Sequence, residues 1–421
     1  MKIHADRVYI PVFIIALLLQ LYLPSFKANM FIQIALLAFF ACLQQIIVSK
    51  KFIRQLIPII LLFIIGFIGT SLHRYQPYNF IKDIFHFLKP ITGIALGYII
   101  FKRVNNVNKF MKAIVTAGLI SAFIHFLILI FLIRSTSSIE DIREFTKDNF
   151  LELFSIFFMV YCKKFTGEHM YSSKLQRWLI IAILLVSCVL YFSRTMIVMG
   201  GVLVLSVNGL TRITGRTLKT LGVLTVCMIL FYTYLFNNAS ISRDKAGLEG
   251  FLFKIKNAPA EIFQTNIDRE NHADLWDHWR AYEAKRAIAL MHESPSSFIF
   301  GTGYGSLVNL KFFAPITGEP KGIRYISELH NGYIYVLYKT GIVGLLIYLF
   351  LVIRWYRFIY IRKGFITILI SGIAIIYLFS TITITGLYNG RDIIIFILGA
   401  LLHFVGNPSK VNLLTPSLHE K

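Results

Sequence analysis

Residues 178–210 read WLIIAILLVSCVLYFSRTMIVMGGVLVLSVNGL, two apolar runs that only Ser193 and Arg194 separate. At 1.5 Å per residue a single helix of this length would measure about 50 Å, whereas the hydrocarbon core of a bilayer is about 30 Å thick. The sequence therefore predicts two membrane helices joined by a tight turn. Arg194 in that turn either extends to lipid headgroups or faces a cavity, because ionisable groups are costly at this depth.

Apolar runs of this kind fill most of the chain. Of its 421 residues, 56% are hydrophobic and 15% charged, and the mean hydropathy of +0.67 is too high for a soluble domain. The sequence predicts an all-α polytopic membrane protein with about twelve transmembrane helices. The predicted spans lie near residues 8–24, 30–49, 56–72, 84–101, 110–133, 149–162, 178–192, 195–210, 218–236, 333–353, 365–387 and 391–406.

The basic residues indicate the orientation of these spans. Lys and Arg outnumber Asp and Glu by 43 to 21, a net charge of +22, but most of them lie in short loops between spans and do not indicate nucleic-acid binding. Twelve spans place 22 basic residues on the side of the termini and eight in the short loops opposite. This bias predicts that both termini are cytoplasmic and that residues 237–330 lie outside.

The predicted chain has four parts. Residues 1–236 form a bundle of about nine transmembrane helices, 237–330 a nearly neutral and mainly helical loop, 331–406 about three further helices, and 407–421 a cytoplasmic tail. The first apolar run has no small-residue cleavage site, so we expect an uncleaved span.

The cysteines indicate neither a disulfide framework nor a metal site. All four lie in apolar runs and show no CxxC or Cys/His spacing. They are Cys42, Cys162, Cys188 and Cys227.

The clearest helix of the loop is predicted over residues 272–292, HADLWDHWRAYEAKRAIALMH, with a stop at Ser294-Pro295. Arg280 and Arg286 lie about 120° apart around its axis, so they cannot both point at one ligand. Glu283 lies three residues from each and could form an exposed Glu/Arg ladder with them. In the functional interpretation, one arginine grips a phosphate, for which a planar guanidinium is well suited.

His330 and Asn331 stand at the entrance to the span 333–353. On a helical wheel His330 shares a stripe with Gly341 and Gly344, and small residues mark close helix packing in membranes. The stripe predicts that His330 points into the mouth of the bundle. A histidine there is either a hydrogen-bonding residue at the start of the helix or a base that works near neutral pH.

The passage GTGYG at residues 301–305 is predicted to be a flexible turn. It follows no strand and has no lysine in the Walker position, so it does not indicate a nucleotide site.

These residues together resemble the O-antigen ligase and polymerase family of bacterial inner-membrane proteins. The most specific match is His330-Asn331, nine intervening residues, Gly341, two residues and Gly344. The resemblance is specific over about residues 178–353.

The resemblance leaves open which arginine of the predicted loop helix corresponds to the family's arginine. Arg280 lies fifteen residues before Pro295, which is similar to the family's spacing, while the run from Arg286 to Leu290 also fits its RxxxL pattern. Arg280 is preferred on spacing. Arg194 is similar to the family's outward arginine between two central helices.

The resemblance implies a C-type glycosyltransferase-like enzyme at the periplasmic face of the bacterial inner membrane. The donor would be a glycan on undecaprenyl pyrophosphate and the acceptor another glycan or the lipid A core, with no metal ion and no diffusible cofactor. Arg194 and either Arg280 or Arg286 would hold the pyrophosphate, and Asn331 would contact the substrate. His330 would accept the proton of the acceptor hydroxyl.

Several functions remain open from the sequence. The resemblance favours a polymerase of repeat units over a ligase that moves the finished glycan to lipid A core, because HNGY, here at residues 330–333, followed by this glycine spacing is common in the polymerase branch of the family. A transporter of lipid-linked sugars would be expected to have acidic relays in its spans, and Glu152 is the carboxylate predicted well inside an apolar run. A noncatalytic scaffold would not need the outward Arg/His cluster.

Overall fold

The computed structural model describes residues 5–43, 48–133, 149–191, 193–238, 241–242, 247–268, 270–315, 322–361 and 364–406. The described residues are 79% helical and contain one two-stranded sheet, so the mainly helical class is confirmed. The predicted tail at 407–421 lies outside the described residues.

In chain order, the helices are α1 (Ala5–Tyr22), α2 (Phe26–Leu43), α3 (Lys50–Ser71), α4 (Pro77–Val104), α5 (Val107–Ile133), α6 (Phe150–Thr166), α7 (Lys174–Leu190), α8 (Arg194–Val207), α9 (Gly215–Asn237), α10 (Gly247–Phe263), α11 (His272–Asp277), α12 (Trp279–Glu293), α13 (Ser297–Phe300), α14 (Gly332–Tyr356), α15 (Phe358–Ile361), α16 (Phe365–Thr383) and α17 (Ile394–Gly406). The strands are β1 (Val308–Ala314) and β2 (Ile323–Ile326).

Each of the twelve predicted apolar runs forms a helix. In the described part of the chain, six helices are long and apolar enough to cross a bilayer, namely α3, α4, α5, α9, α14 and α16. The other six runs form α1, α2, α6, α7, α8 and α17, which have 13 to 18 residues. The chain is therefore a multi-pass membrane protein, and the number of twelve spans stays a prediction.

The core of the bundle lies around α14. This helix packs between α3 and α16, while α17 packs along α4. Aromatic side chains fill the space, and Tyr335, Tyr348, Trp355 and Tyr377 are all fully buried. In contrast, α9 is apolar and exposed along nearly its whole length, as expected of a helix that faces lipid. The core thus fixes the position of α14, whose first turn follows His330.

The segment 237–330 folds onto one end of the bundle, which we call the loop end. In the described residues it contains α10 to α13 and the antiparallel pair β1–β2, which the sequence did not predict. Leu275, Trp279, Tyr282 and Leu310 form a small apolar cluster that packs α11 and α12 against β1. This cluster gives α12 a rigid support.

The single helix predicted over residues 272–292 consists of two helices. His278 lies between α11 and α12 with φ −121° and ψ 24°, and its Nδ1 lies 2.9 Å from the Asp274 carboxylate. Good helix formers surround this position, so composition alone could not predict the break. The stop at Ser294-Pro295 is confirmed.

The break predicted at Ser193-Arg194 is confirmed, but the two helices do not form a tight hairpin. Ser193 Oγ caps α8 by accepting a hydrogen bond from the Met196 N–H at 3.3 Å. From there α8 packs chiefly against α16, because Ser206 Oγ donates to the Ile368 carbonyl at 3.0 Å. Arg194 therefore begins a helix at the loop end.

Helix α14 is bent at Gly341, where φ is 67° and ψ is −172°. Two carbonyls of the preceding turn accept hydrogen bonds from the Thr302 and Gly303 N–H groups at 2.7 and 3.1 Å. A Cβ at this position would collide with the Ile299 carbonyl, so only glycine fits the bend. The predicted regular stripe that joins His330 to the glycines is therefore wrong.

The predicted flexible turn at residues 301–305 is instead buried throughout. The Lys339 ammonium donates to Asp83 Oδ2 at 2.6 Å and to the Ser306 carbonyl at 2.5 Å, while Asp83 accepts the Gly305 N–H at 2.7 Å. Both charged side chains are fully buried, and they lie 256 residues apart in the chain. This ion pair ties the turn to α4 and α14.

The orientation inferred from the basic residues gives a direct prediction. A cysteine at the exposed loop residue Asn266 should react with a membrane-impermeant thiol reagent in cells whose outer membrane is permeable, whereas a cysteine at exposed Ser172 should not. The test uses a chain that lacks its four native cysteines, and the mass added by the reagent measures how far each introduced cysteine has reacted. Equal labelling at both positions would contradict the predicted orientation. As a control for accessibility, both cysteines should react once the inner membrane is also permeabilised.

Candidate functional site

Three charged side chains meet where α8, α10 and α12 come together at the loop end. Glu261, in the last turn of α10, contacts both arginines. Its Oε2 lies 3.1 Å from Arg194 Nη2, and its Oε1 accepts a hydrogen bond from Arg280 Nη1. The exposed fractions of the Arg194, Arg280 and Glu261 side chains are 27%, 22% and 19%, so the group is mostly shielded from solvent. Two guanidinium groups from distant parts of the chain thus share one carboxylate.

Backbone carbonyls hold the same two arginines. Arg194, the first residue of α8, donates from Nη1 to the Lys254 carbonyl on α10. Arg280, in the first turn of α12, donates from Nε to the Thr383 carbonyl at the end of α16, at 2.9 Å. Because a guanidinium is planar, these bonds fix the orientation of each donor fork.

His330 is held by a buried carboxylate. Its Nδ1 lies 3.0 and 3.1 Å from the two carboxylate oxygens of Glu283, and its backbone N–H donates to Glu283 Oε2 at 2.9 Å. An ionised carboxylate only accepts hydrogen bonds, so Nδ1 carries the proton and the neutral ring has its lone pair on Nε2. The His330 side chain is 52% exposed and the Glu283 side chain 2%. The histidine therefore presents one nitrogen to solvent while a carboxylate orients the other.

The arginine pair and the histidine are adjacent because α12 supports both. Arg280 and Glu283 lie three residues apart on this helix, a spacing that puts their Cβ atoms about 5 to 6 Å apart on one face. Arg280 reaches Glu261 and Glu283 reaches His330. One helix face thus joins a cationic group to a potential base.

The exposed Glu/Arg ladder considered for Glu283 is wrong. Its carboxylate is buried and contacts His330. Glu261 and Glu283 are the two residues of the site that sequence reasoning missed. Glu261 lies 67 residues from Arg194 and Glu283 lies 47 residues from His330, so no local spacing could have indicated these contacts.

Arg286 lies apart from Arg194 and Arg280. Its Nε donates to the Asn309 carbonyl of β1 at 3.0 Å, and its Nη2 is buried without a hydrogen-bond partner. It lines a cavity of about 420 Å³ that also contains Lys285 and Lys311. The structure therefore brings Arg280, and not Arg286, to the glutamate that contacts Arg194.

Asn331 caps α14. Its Oδ1 accepts hydrogen bonds from the Tyr333 and Ile334 N–H groups at 3.1 and 3.2 Å. This cap fixes the backbone immediately after His330. The oxygen of Asn331 is thus occupied by its own helix, and a substrate contact would have to come from the amide nitrogen.

A second carboxylate ties the chain before His330 to the bundle. Glu328 Oε1 lies 3.1 Å from Lys82 Nζ and 3.0 Å from His86 Nε2, both on α4. Desolvation acts to raise the pKa of Glu328, but His86 and the Lys82 ammonium outweigh it and hold that pKa well below the usual value. Glu328 therefore stays ionised and anchors the segment that carries His330.

The bundle contains more buried polar groups than the sequence indicated. Glu152 is buried at the start of α6 and accepts hydrogen bonds from Ser121 and Tyr191 at 2.9 and 3.1 Å. It is not the only such carboxylate, because Asp83 and Asp392 are buried as well. Each of the three accepts hydrogen bonds from its neighbours.

The described residues offer little for metal binding. Within them, no group of three or more His, Cys, Asp or Glu side chains could hold a metal ion. The chemistry that the site itself presents is anion binding by two arginines and proton transfer at one histidine.

Comparison with known families identifies a match over part of the chain. No curated protein matches the chain. A family model described as O-antigen ligase matches residues 179–349, which include Arg194, Glu261, Arg280 and His330. The resemblance inferred from the sequence is thereby confirmed, and over residues 179–349 the chain is similar to the O-antigen ligase and polymerase family.

Proposed function

We propose that this protein transfers a glycan from undecaprenyl pyrophosphate to an acceptor hydroxyl at the loop end of the bundle. The observation that carries the proposal is the bridge from Arg194 through Glu261 to Arg280. A carboxylate and a phosphate bind arginine forks in the same way. The bridge therefore supports a site where both arginines can share one anionic group.

A diphosphate fits this pair better than a single phosphate. Its two phosphates offer oxygens for two guanidinium groups that approach from different helices. Negative charge grows on the diphosphate as the bond to the anomeric carbon breaks, and fixed cations in a shielded site stabilise that charge. Arg194 and Arg280 would thus act on the leaving group.

His330 would act on the acceptor. The acceptor hydroxyl oxygen attacks the anomeric carbon of the donor glycan, and the new glycosidic bond forms as the bond to the pyrophosphate oxygen breaks. Undecaprenyl pyrophosphate leaves with the bonding electron pair. The hydroxyl proton moves to His330 Nε2, the nitrogen that Glu283 does not contact.

Glu283 would be a positioning residue in this reaction. It holds the Nδ1 proton, keeps the ring in one orientation and stabilises the imidazolium that forms when Nε2 takes the proton. It does not itself contact the substrate.

Glu283→Gln should lower turnover by at least roughly tenfold, because an amide oxygen is a weaker acceptor and no longer offsets the imidazolium charge. Donor affinity should change little. The measurement is the turnover of the single variants and of Glu283→Gln combined with His330→Ala. Once His330 is replaced by alanine, Glu283→Gln should add almost nothing to the loss, since both changes act on one proton transfer. Fully additive losses would contradict the positioning role.

The reaction that we favour is polymerisation of repeat units of a surface polysaccharide in the bacterial inner membrane. The HNGY sequence at residues 330–333 supports a polymerase, and a ligase that uses the same donor is the alternative.

Deletion of the protein should tell the two reactions apart. A lost polymerase leaves single repeat units on the lipid A core, so gel analysis of the surface glycan should show short products only. Long chains stranded on the lipid carrier would instead identify a ligase. Complementation with wild type but not with His330→Ala should restore the long chains.

A further inference from the structure

We propose that Glu261 is an internal competitor for the diphosphate, which releases the arginine pair when the donor binds and takes it back when undecaprenyl pyrophosphate leaves. This inference rests on the proposed function. It assigns to Glu261 a role in product release. The Glu261 carboxylate lies between the same guanidinium groups that the diphosphate would need.

The contacts of α10 allow the carboxylate to leave while the helix stays. Tyr232 Oη donates to the Ile255 carbonyl at 3.0 Å, and Asn257 Nδ2 donates to the Asp277 carbonyl at 3.1 Å. These bonds hold α10 to α9 and to the end of α11 without Glu261. Arg194 is also held by the Lys254 carbonyl. Displacement thus requires a rotation of one side chain.

The position of Glu261 also suits such a rotation. It lies in the last turn of α10, two residues before the helix ends, and residues 263–266 after it are exposed. The side chain itself is partly exposed. A carboxylate displaced from the arginines can therefore reach solvent and does not remain buried without a partner.

An internal anion lowers the affinity of every anion that must displace it. The apparent affinity equals the intrinsic affinity multiplied by the fraction of molecules in which Glu261 does not occupy the arginines. This loss applies to the donor and also to the undecaprenyl pyrophosphate that remains after transfer. A glycosyl transfer that ends with a diphosphate held by two arginines would otherwise have slow product release, a step that often limits turnover.

The test is the binding of inorganic pyrophosphate to the purified full-length protein in lipid nanodiscs. Glu261→Gln keeps the size of the side chain and removes the competing charge, so pyrophosphate should bind roughly tenfold more tightly, or more, than to the wild type. Turnover should fall in the same variant, with stronger inhibition by pyrophosphate. Glu249→Gln, the same change in the first turn of the same helix, should leave binding unchanged.

Unchanged or weaker pyrophosphate binding by Glu261→Gln would overturn the inference and would make Glu261 a residue that merely supports the arginines. If that variant does not fold, Glu261→Asp, which withdraws the carboxylate by one methylene, should shift the affinity for pyrophosphate in the same direction.

A double variant, Arg194→Ala with Arg280→Ala, distinguishes a failure of this inference from a failure of the proposed function. If that double variant binds pyrophosphate as tightly as wild type, the donor site itself is wrong.

Discussion

His330→Ala should lower turnover by roughly 10²- to 10⁴-fold, the usual contribution of a general base. Donor affinity should remain nearly unchanged, because the diphosphate is proposed to bind Arg194 and Arg280, whose ion pairs with Glu261 do not involve His330. Turnover of the wild type should also fall in acid, since a protonated imidazole cannot accept the hydroxyl proton. That acid limb should be absent from the residual activity of the variant.

The control is His292→Ala, which removes an exposed histidine from the last turn of α12. It should retain wild-type turnover. A His330→Ala protein that turns over within a few-fold of wild type at saturating substrates would rule out the base. Loss of donor affinity with an unchanged pH profile would identify His330 as a structural residue.

Arg194→Lys and Arg280→Lys should each reduce the rate of transfer by roughly 10²- to 10³-fold, the loss seen when one group that stabilises a developing anion is removed. Lysine keeps the charge but loses the planar fork that binds two oxygens at once. Protein levels should stay normal, because neither arginine is part of the buried core. Single-turnover rates with a fixed lipid-linked donor would measure the effect.

Arg286→Lys on the same helix is the control for this prediction. Arg286 lies against β1 and makes no contact with Glu261 among the described hydrogen bonds and ion pairs. Its replacement should change the rate by less than a few-fold. A large loss in Arg286→Lys together with normal transfer by Arg280→Lys would show that the wrong arginine was assigned.

The helices and the positions of the main cations could be predicted from the sequence. Apolar runs of 14 or more residues become helices in lipid because every backbone group must be satisfied internally, so the twelve runs were visible from composition. The break at Ser193-Arg194 could be predicted because the run was too long for one span. Local pattern and length decide such features.

The carboxylates that complete the site could not be predicted. Glu261 and Glu283 look like ordinary charges on loop helices, and only the packing of α10 against α12 and of α12 against the start of α14 brings them to Arg280 and His330. The choice between Arg280 and Arg286 was open for the same reason. Both arginines lie on one helix, and what each one faces depends on elements distant in the chain.

Two local features could not be predicted from the sequence because they depend on tertiary contacts. Gly341 has the ordinary spacing of a small residue in a membrane helix, yet the turn at residues 301–306 packs against it and holds it at positive φ. His278 lies among good helix formers, but the helix breaks there, and the Asp277 carbonyl beside it accepts a hydrogen bond from Asn257 Nδ2 on α10. The packing of neighbouring segments overrides local propensity at both positions.

In the proposed mechanism, Arg194 and Arg280 hold a lipid-linked diphosphate while His330 activates the acceptor. The most direct measurement is a single turnover by the reconstituted protein with a purified undecaprenyl-pyrophosphate-linked repeat unit, in which the glycan product and the released undecaprenyl pyrophosphate are quantified together. Both should appear in equal amounts with the wild type, and neither should appear with His330→Ala or with the Arg194→Ala, Arg280→Ala double variant on the same time scale. Folded wild-type protein that transfers no glycan, or variants that transfer it at the wild-type rate, would rule out this mechanism.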